Sequence, residues 1–213
     1  TLFPYTTLFR STLAFVQGRA ALSKANPDDR LNVEIARENI IVPLVRSFLI
    51  GVLREVQGII ASRDTDATDA REKQIEGEFF YRIVESFIAS DNPAGSNLIK
   101  TQLTGDLANV VANEIVIEIS KGIIGQVNRN IGIIESTFGI DRNQALAASE
   151  RVSLYINVFL PDLELRLGTL ERVKVQNALQ DLREASETDD VSKALTAGST
   201  LTGIISAYEN ELI

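Results

Sequence analysis

The 213-residue chain contains no cysteine, histidine, methionine or tryptophan, and each absence closes off a class of chemistry. Without thiols and imidazoles there is no Cys–His or Ser–His–Asp arrangement, no structural zinc of the usual kinds, no histidine-ligated haem and no iron–sulfur cluster. The Glu-x-x-His signature of ferritin-like di-iron bundles is missing for the same reason. Any metal held by this chain would be held by oxygen, which favours hard cations such as Fe(III), Ca²⁺, Mg²⁺ or Mn²⁺. Lacking cysteine, the chain requires neither an oxidising nor a reducing compartment. Positive charge is also scarce: 21 Lys and Arg face 29 Asp and Glu, for a formal net charge of −8. Affinity for nucleic acid rests on Lys and Arg at phosphates, so no nucleic acid is expected as partner, whereas a metal ion or cationic ligand suits this balance. The richest apolar stretch, 40–60, is broken by Arg46, Arg54 and Glu55, so no transmembrane segment of about 20 apolar residues is expected. No glycine-rich phosphate loop, βαβ rhythm or nucleophile motif is present, and neither an enzyme nor an organic cofactor is expected.

The ends raise a separate matter. T-L-F-P-Y-T-T-L-F-R-S, Thr1 to Ser11, is what a common short-read sequencing adapter encodes in one reading frame. This segment reads as adapter-derived, leaving a single helical-bundle domain over 12–213. With no Met to mark a start, the expectation is an N-terminally truncated chain.

From Thr12 onward the pattern is helical. Residues 12–24 read as the tail of a helix, and Asn26, Pro27, Asp28 and Asp29 as a turn and acidic helix start. A long helix follows to about residue 62, with Pro43 expected to kink it and Gly51 and Gly58 to weaken it. A polar connection carries the N-cap candidates Asp66 and Thr68. The next helix stops near Ser90, and Asn92 caps a short one opened by Pro93. In 106–138 the string E-I-V-I-E-I alternates like a strand. Leu107, Val110, Val111, Glu114, Ile115 and Glu118 keep helical spacing, however, and no second strand-like segment is near, so helix is expected throughout. Asp141 caps a helix over 143–160, Pro161 begins or kinks the following one to about 185, and a last helix spans 191–212. Short polar loops between amphipathic helices predict an all-α, antiparallel multi-helix bundle.

Within this frame one pattern recurs. On a wheel of 3.6 residues per turn, Glu72 and Glu76 fall inside the apolar arc of Ile75, Phe79, Ile83 and Phe87. Glu34 and Glu38 share the arc of Val42, Val45, Leu49, Val52 and Val56. Glu114 and Glu118 lie at the centre of the arc of Leu107, Val110, Val111 and Ile115. Carboxylates four apart sit one turn above one another, so each pair offers two oxygens to a common point. A buried carboxylate must be protonated, paired or ligating a metal. Glu72, Glu76, Glu114 and Glu118, then Glu34 and Glu38, are therefore the candidate ligands of a hard cation, with Glu209 as a further member and Tyr81 and Tyr155 as phenolate candidates. The plainer reading stands beside it. Four of these glutamates occur in the first two turns of their helices, where the helix dipole favours acidic side chains, while Glu114 and Glu118 can pair with Lys100, Lys121 or Arg129.

The stretch E-G-E-F-F-Y-R-I-V-E-S-F-I-A-S-D-N, Glu76 to Asn92, resembles the low-iron-inducible iron-assimilation proteins of algae and their bacterial relatives. The similarity lies in Glu76, Gly77, the aromatic cluster Phe79 to Tyr81, Arg82, Ile83, Ile88, Ala89 and Asp91. It implies a periplasmic or secreted helical protein handling iron through acidic side chains, and carries over no ligand set. Two functions thus compete: hard-metal binding through inward glutamates, and a non-catalytic structural or protein-interaction module with salt-bridged carboxylates. The second predicts a cation beside each inward glutamate and an apolar patch left on the surface. In a third reading, an open groove simply marks sequence missing from the N-terminus.

Overall fold

The caps that start the helices are short polar side chains. Asp66 accepts hydrogen bonds from the Thr68 and Asp69 amides, Asn92 from Gly95, Asp141 from Gln144 and Asp190 from Lys193, each satisfying an amide that has no partner inside its helix. The computed structural model describes residues 3–23 and 27–212, with side chains for 12–23 and 30–212. The expected turn residue Asn26, and the side chains of the adapter-like segment through Ser11, lie outside the described residues. Eight α-helices form and no strand is present among the described residues: α1 (Phe3–Leu22), α2 (Pro27–Ser62), α3 (Ala67–Ala89), α4 (Pro93–Thr104), α5 (Ala112–Thr137), α6 (Arg142–Leu167), α7 (Thr169–Thr188) and α8 (Val191–Glu211). The chain is an all-α helical bundle. The strand-like string in α5 is helical, burying Ile115 and Ile119 one turn apart.

Two boundaries differ from expectation. Helix was expected from residue 106, but Leu107–Asn109 form a 3-10 turn and α5 starts only at Ala112. The cause is a side chain 44 or more positions away: the Arg63 guanidinium donates to the carbonyls of Leu107, Ala108 and Val110 at 3.0–3.4 Å. The Gln102 carboxamide, in turn, accepts from the Val111 amide at 2.8 Å. Pro161 neither starts nor ends a helix but lies within α6; the break comes at Gly168, whose φ of 90° belongs to the left-handed region that glycine enters without a Cβ clash.

The helices group into two compact units. A central unit spans Leu44–Gly125, and a terminal unit comprises Thr1–Pro43 and Gln126–Ile213. Both boundaries fall inside long helices, α2 and α5, so no linker composition marks them. In the central unit the second half of α2 buries Val45, Leu49, Val52, Val56 and Ile59. Gly51 and Gly58 are sites of close approach. A Cβ on Gly51 would come within 2.9 Å of the Phe80 ring, and one on Gly58 would overlap the Lys73 stem. Gly77 of α3 is buried between Glu55 and Leu103 in the same way.

In the terminal unit, α6, α7 and α8 pack side by side. Arg172 reaches Glu164 across the turn at Gly168 (3.0 Å), while Arg142 at the far end of α6 donates to the Glu187 carbonyl at 2.6 Å. These two helices therefore run in opposite directions. Lys193 of α8 pairs with Glu184 and Asp181 of α7. Tyr208 donates to Asp162 of α6 at 2.6 Å and stacks on Phe159, with ring centroids 5.2 Å apart.

Candidate functional site

The six candidate glutamates meet different fates. Glu38 alone is buried, at 9% exposure. Its carboxylate lies 3.5 Å from the Arg151 Nε and accepts from the Tyr155 hydroxyl at 3.4 Å, and Glu34, on the exposed turn above, takes the same guanidinium at 3.2 Å. Burial pushes the Tyr155 hydroxyl up to about 12, helped by the Glu38 charge, so it stays protonated and donates.

In the central unit Glu118 is half-buried. Burial favours its neutral form, but hydrogen bonds from Asn92 (2.7 Å) and Lys121 (2.8 Å) outweigh that and hold its carboxyl below the ordinary range. Glu114 is exposed and accepts from the Gln102 carboxamide at 2.5 Å. Glu72 and Glu76 are exposed, and neither makes an ion pair among the described residues. Glu209 is half-buried at the end of α8. Tyr81 is buried with its hydroxyl 2.8 Å from Ser96 Oγ, and burial raises its pKa. No group of three or more Asp or Glu that could hold a metal ion is found among the described residues. The donor set does not fit a hard cation: these carboxylates are answered by Arg, Lys, Asn, Gln and Tyr, or they face water.

The inward placement of Glu72 and Glu76 is thus a correction, and its cause is visible in α3. The face turned to the core is Ala70, Gln74, Gly77, Tyr81, Val84 and Ile88. Two of its members are polar, and both find their partners in α4 and in Gly105 at its C-terminal end. Gln74 donates to the carbonyls of Gln102 and Gly105 (both 3.2 Å), and Tyr81 donates to Ser96. The large apolar side chains Ile75, Phe79 and Ile83 lie on the opposite face, 59%, 60% and 46% exposed. Phe79 leans edge-on against Phe80, which contacts Phe48 of α2, so the outer row touches half-buried rings at its middle.

A carboxylate that the glutamate pattern did not select is Glu55, 4% exposed, bonded to the guanidinium of its neighbour Arg54. The signal was available, because Glu55 stands in the row of Val52, Val56 and Ile59.

The fold and these contacts define an all-α helical-bundle protein with an amphipathic helix whose larger apolar residues face outward. Compared with protein-family models, curated proteins and solved structures, the chain finds no match in any of the three. No helix among the described residues is long and apolar enough to cross a membrane.

Proposed function

We propose that this chain is a non-catalytic helical interaction module that docks another protein surface on the outer face of α3. One observation carries the reading: Ile75, Phe79 and Ile83 form a contiguous exposed row on a helix whose opposite face already supplies the core. Contiguous apolar patches on a soluble surface mark interaction sites more often than isolated apolar residues do. The carboxylates agree with it, since Glu34, Glu38, Glu114 and Glu118 serve contacts within the chain.

A docking row contributes to binding and little to folding. Replacing Ile75, Phe79 and Ile83 together by Gln should therefore leave the urea midpoint nearly unchanged, because exposed positions away from special contacts shift stability by about 0.5 kcal/mol or less each. A loss of several kcal/mol would place the row in the core and overturn the reading. The same unfolding measurements with Fe(III), Ca²⁺ and Mn²⁺ separate it from cation binding at the glutamates, iron included. No shift is expected; a rise of several degrees with one ion, abolished by Glu76→Gln, would replace this proposal by the metal-binding one.

A further inference from the structure

Between α6, α7 and the first half of α2, all within the terminal unit, lies a cleft of about 330 Å³. Half-buried Ile35, Leu146 and Leu179 give it apolar walls. Its most buried members are Ser149 of α6 and Ser186 of α7, 7% and 1% exposed. These two hydroxyls are short of protons. Ser149 Oγ lies 2.8 Å from the Ala145 carbonyl, Ser186 Oγ lies 2.8 Å from the Leu182 carbonyl, and the two oxygens lie 2.8 Å from each other. Three contacts of hydrogen-bond length thus share two protons. Whichever way the hydroxyls turn, at least one of the two buried oxygens accepts no hydrogen bond. Ser153, one turn along α6 and also lining the cleft, is the complement: it is half-buried, and its hydroxyl makes no hydrogen bond among the described residues, where only its carbonyl is engaged, by Asn157.

We propose that this cleft binds a small neutral alcohol or phenol, with the hydroxyl on the serines and the apolar body against Ile35, Leu146 and Leu179. A hydroxyl donates and accepts at one atom, so it can give its proton to the under-supplied oxygen of the Ser149–Ser186 pair and take the proton of Ser153. Positions four apart on a helix are separated by about 6 Å along its axis, roughly two hydrogen-bond lengths, so a single oxygen fits between Ser149 and Ser153. The charged residues of the cleft are already engaged. Glu150 accepts from Asn39 at 3.4 Å, and Arg183 donates to Glu187 at 3.2 Å. An ionised head group beside the serines would be buried without a counterion of its own, which favours a neutral one. The volume sets the size of the body. It is about twice that of the ~150 Å³ apolar cavity that holds benzene, and stands at the small end for ligand pockets, so a ligand of roughly ten non-hydrogen atoms is expected. This site belongs to the terminal unit and is independent of the docking face on α3.

Titration of the isotope-labelled full chain with p-ethylphenol, followed by amide shifts in NMR spectra, tests this. Saturable shifts are expected at Ser149, Ser153 and Ser186. The methyl ether of the same molecule, p-ethylanisole, keeps the body and loses the donor, and should bind about tenfold more weakly or not at all. Ser149→Ala combined with Ser186→Ala should bring the phenol down to the affinity of the ether. Both partners of the buried pair are then removed together, so the unfolding curve should stay nearly unchanged. If that variant does not fold, Ser153→Ala alters a half-buried position and should weaken the phenol by about three- to tenfold. Leu146→Trp fills the cleft and should abolish binding of phenol and ether alike. Equal affinity for the phenol and its ether, shifts confined to residues outside the cleft, or no shift up to the solubility of the phenol would each overturn the proposal. Tighter binding of phenethylamine than of the phenol would also overturn it, by assigning the cleft to cations held by Glu150.

Discussion

Glu34 with Glu38 and Glu72 with Glu76 are the same sequence feature in two places: carboxylates four apart, early in a helix, inside an apolar arc. In the terminal unit one member is buried and both share Arg151 of α6. In the central unit both face water. The spacing determines that two side chains share a helix face, but which face turns inward is decided by what the neighbouring helices offer. Arg151 and Tyr155 offer a cation and a hydroxyl at the right height. Nothing of the kind is needed by Glu72 and Glu76, because Ser96 and the Gln102 and Gly105 carbonyls draw the opposite, more polar face of α3 inward.

The sharpest way to break this contrast is to remove the shared cation. Arg151→Ala leaves Glu38 buried without its guanidinium, and should cost about 2 kcal/mol of stability in urea unfolding, less than a fully buried pair because the contact distances are long. Asn92→Ala comes next. It removes both the cap of α4 and the strongest donor to Glu118, for a loss of about 1–2 kcal/mol.

Acid titration sharpens the same point. Glu118 is held below its ordinary range when folded, so its contribution is complete above the unfolded value and is lost as pH falls through the folded one. Asn92→Ala should flatten that acid limb of a stability–pH curve, and an unaltered limb would contradict the assignment. Tyr155 moves the other way. Its folded pKa is raised to about 12 from 10.0, so its contribution is complete below the unfolded value and is lost as pH climbs from about 10 towards 12. Tyr155→Phe should reduce the alkaline loss of stability, and the latest-titrating component of tyrosinate absorbance in the wild-type protein should be lost in that variant, Tyr81 being the other tyrosine shifted upward. The smallest effect is expected at the outward pair, where Glu72→Ala or Glu76→Ala should change stability by about 0.5 kcal/mol or less. A penalty there comparable to that of Arg151→Ala would erase the contrast.

Helices, caps and the α2 core row were legible because they depend on residues close in sequence. Asp66, Asn92 and Asp141 announce helix starts through their own side chains, and Val45, Leu49, Val52 and Val56 keep one row. The orientation of α3 was not legible from hydrophobicity, because its inner row is small and polar and its outer row is large and apolar. Only partners 15 to 31 positions away, Ser96, Gln102 and Gly105, make Tyr81 and Gln74 inexpensive to bury. Glu114 and Glu118 were placed on an arc that the structure shifts for a related reason. Their arc counted Leu107 and Val110 as α-helical, whereas Leu107 lies in the 3-10 turn that Arg63 engages and α5 starts only at Ala112.

That arginine has a consequence for how the central unit opens. The segment between α4 and α5 draws order from one guanidinium nitrogen, Arg63 Nη1, which lies 3.0–3.4 Å from three carbonyls. Amide protection of Val110, Val111 and the first turn of α5 is thereby coupled to Arg63 at the end of α2 and to Gln102 of α4. Arg63→Ala would turn that junction into the earliest site of hydrogen exchange in the unit, an opening far smaller than global unfolding. Where helices elsewhere are secured by many bonds of their own, this connection hangs on side chains that reach in from its neighbours.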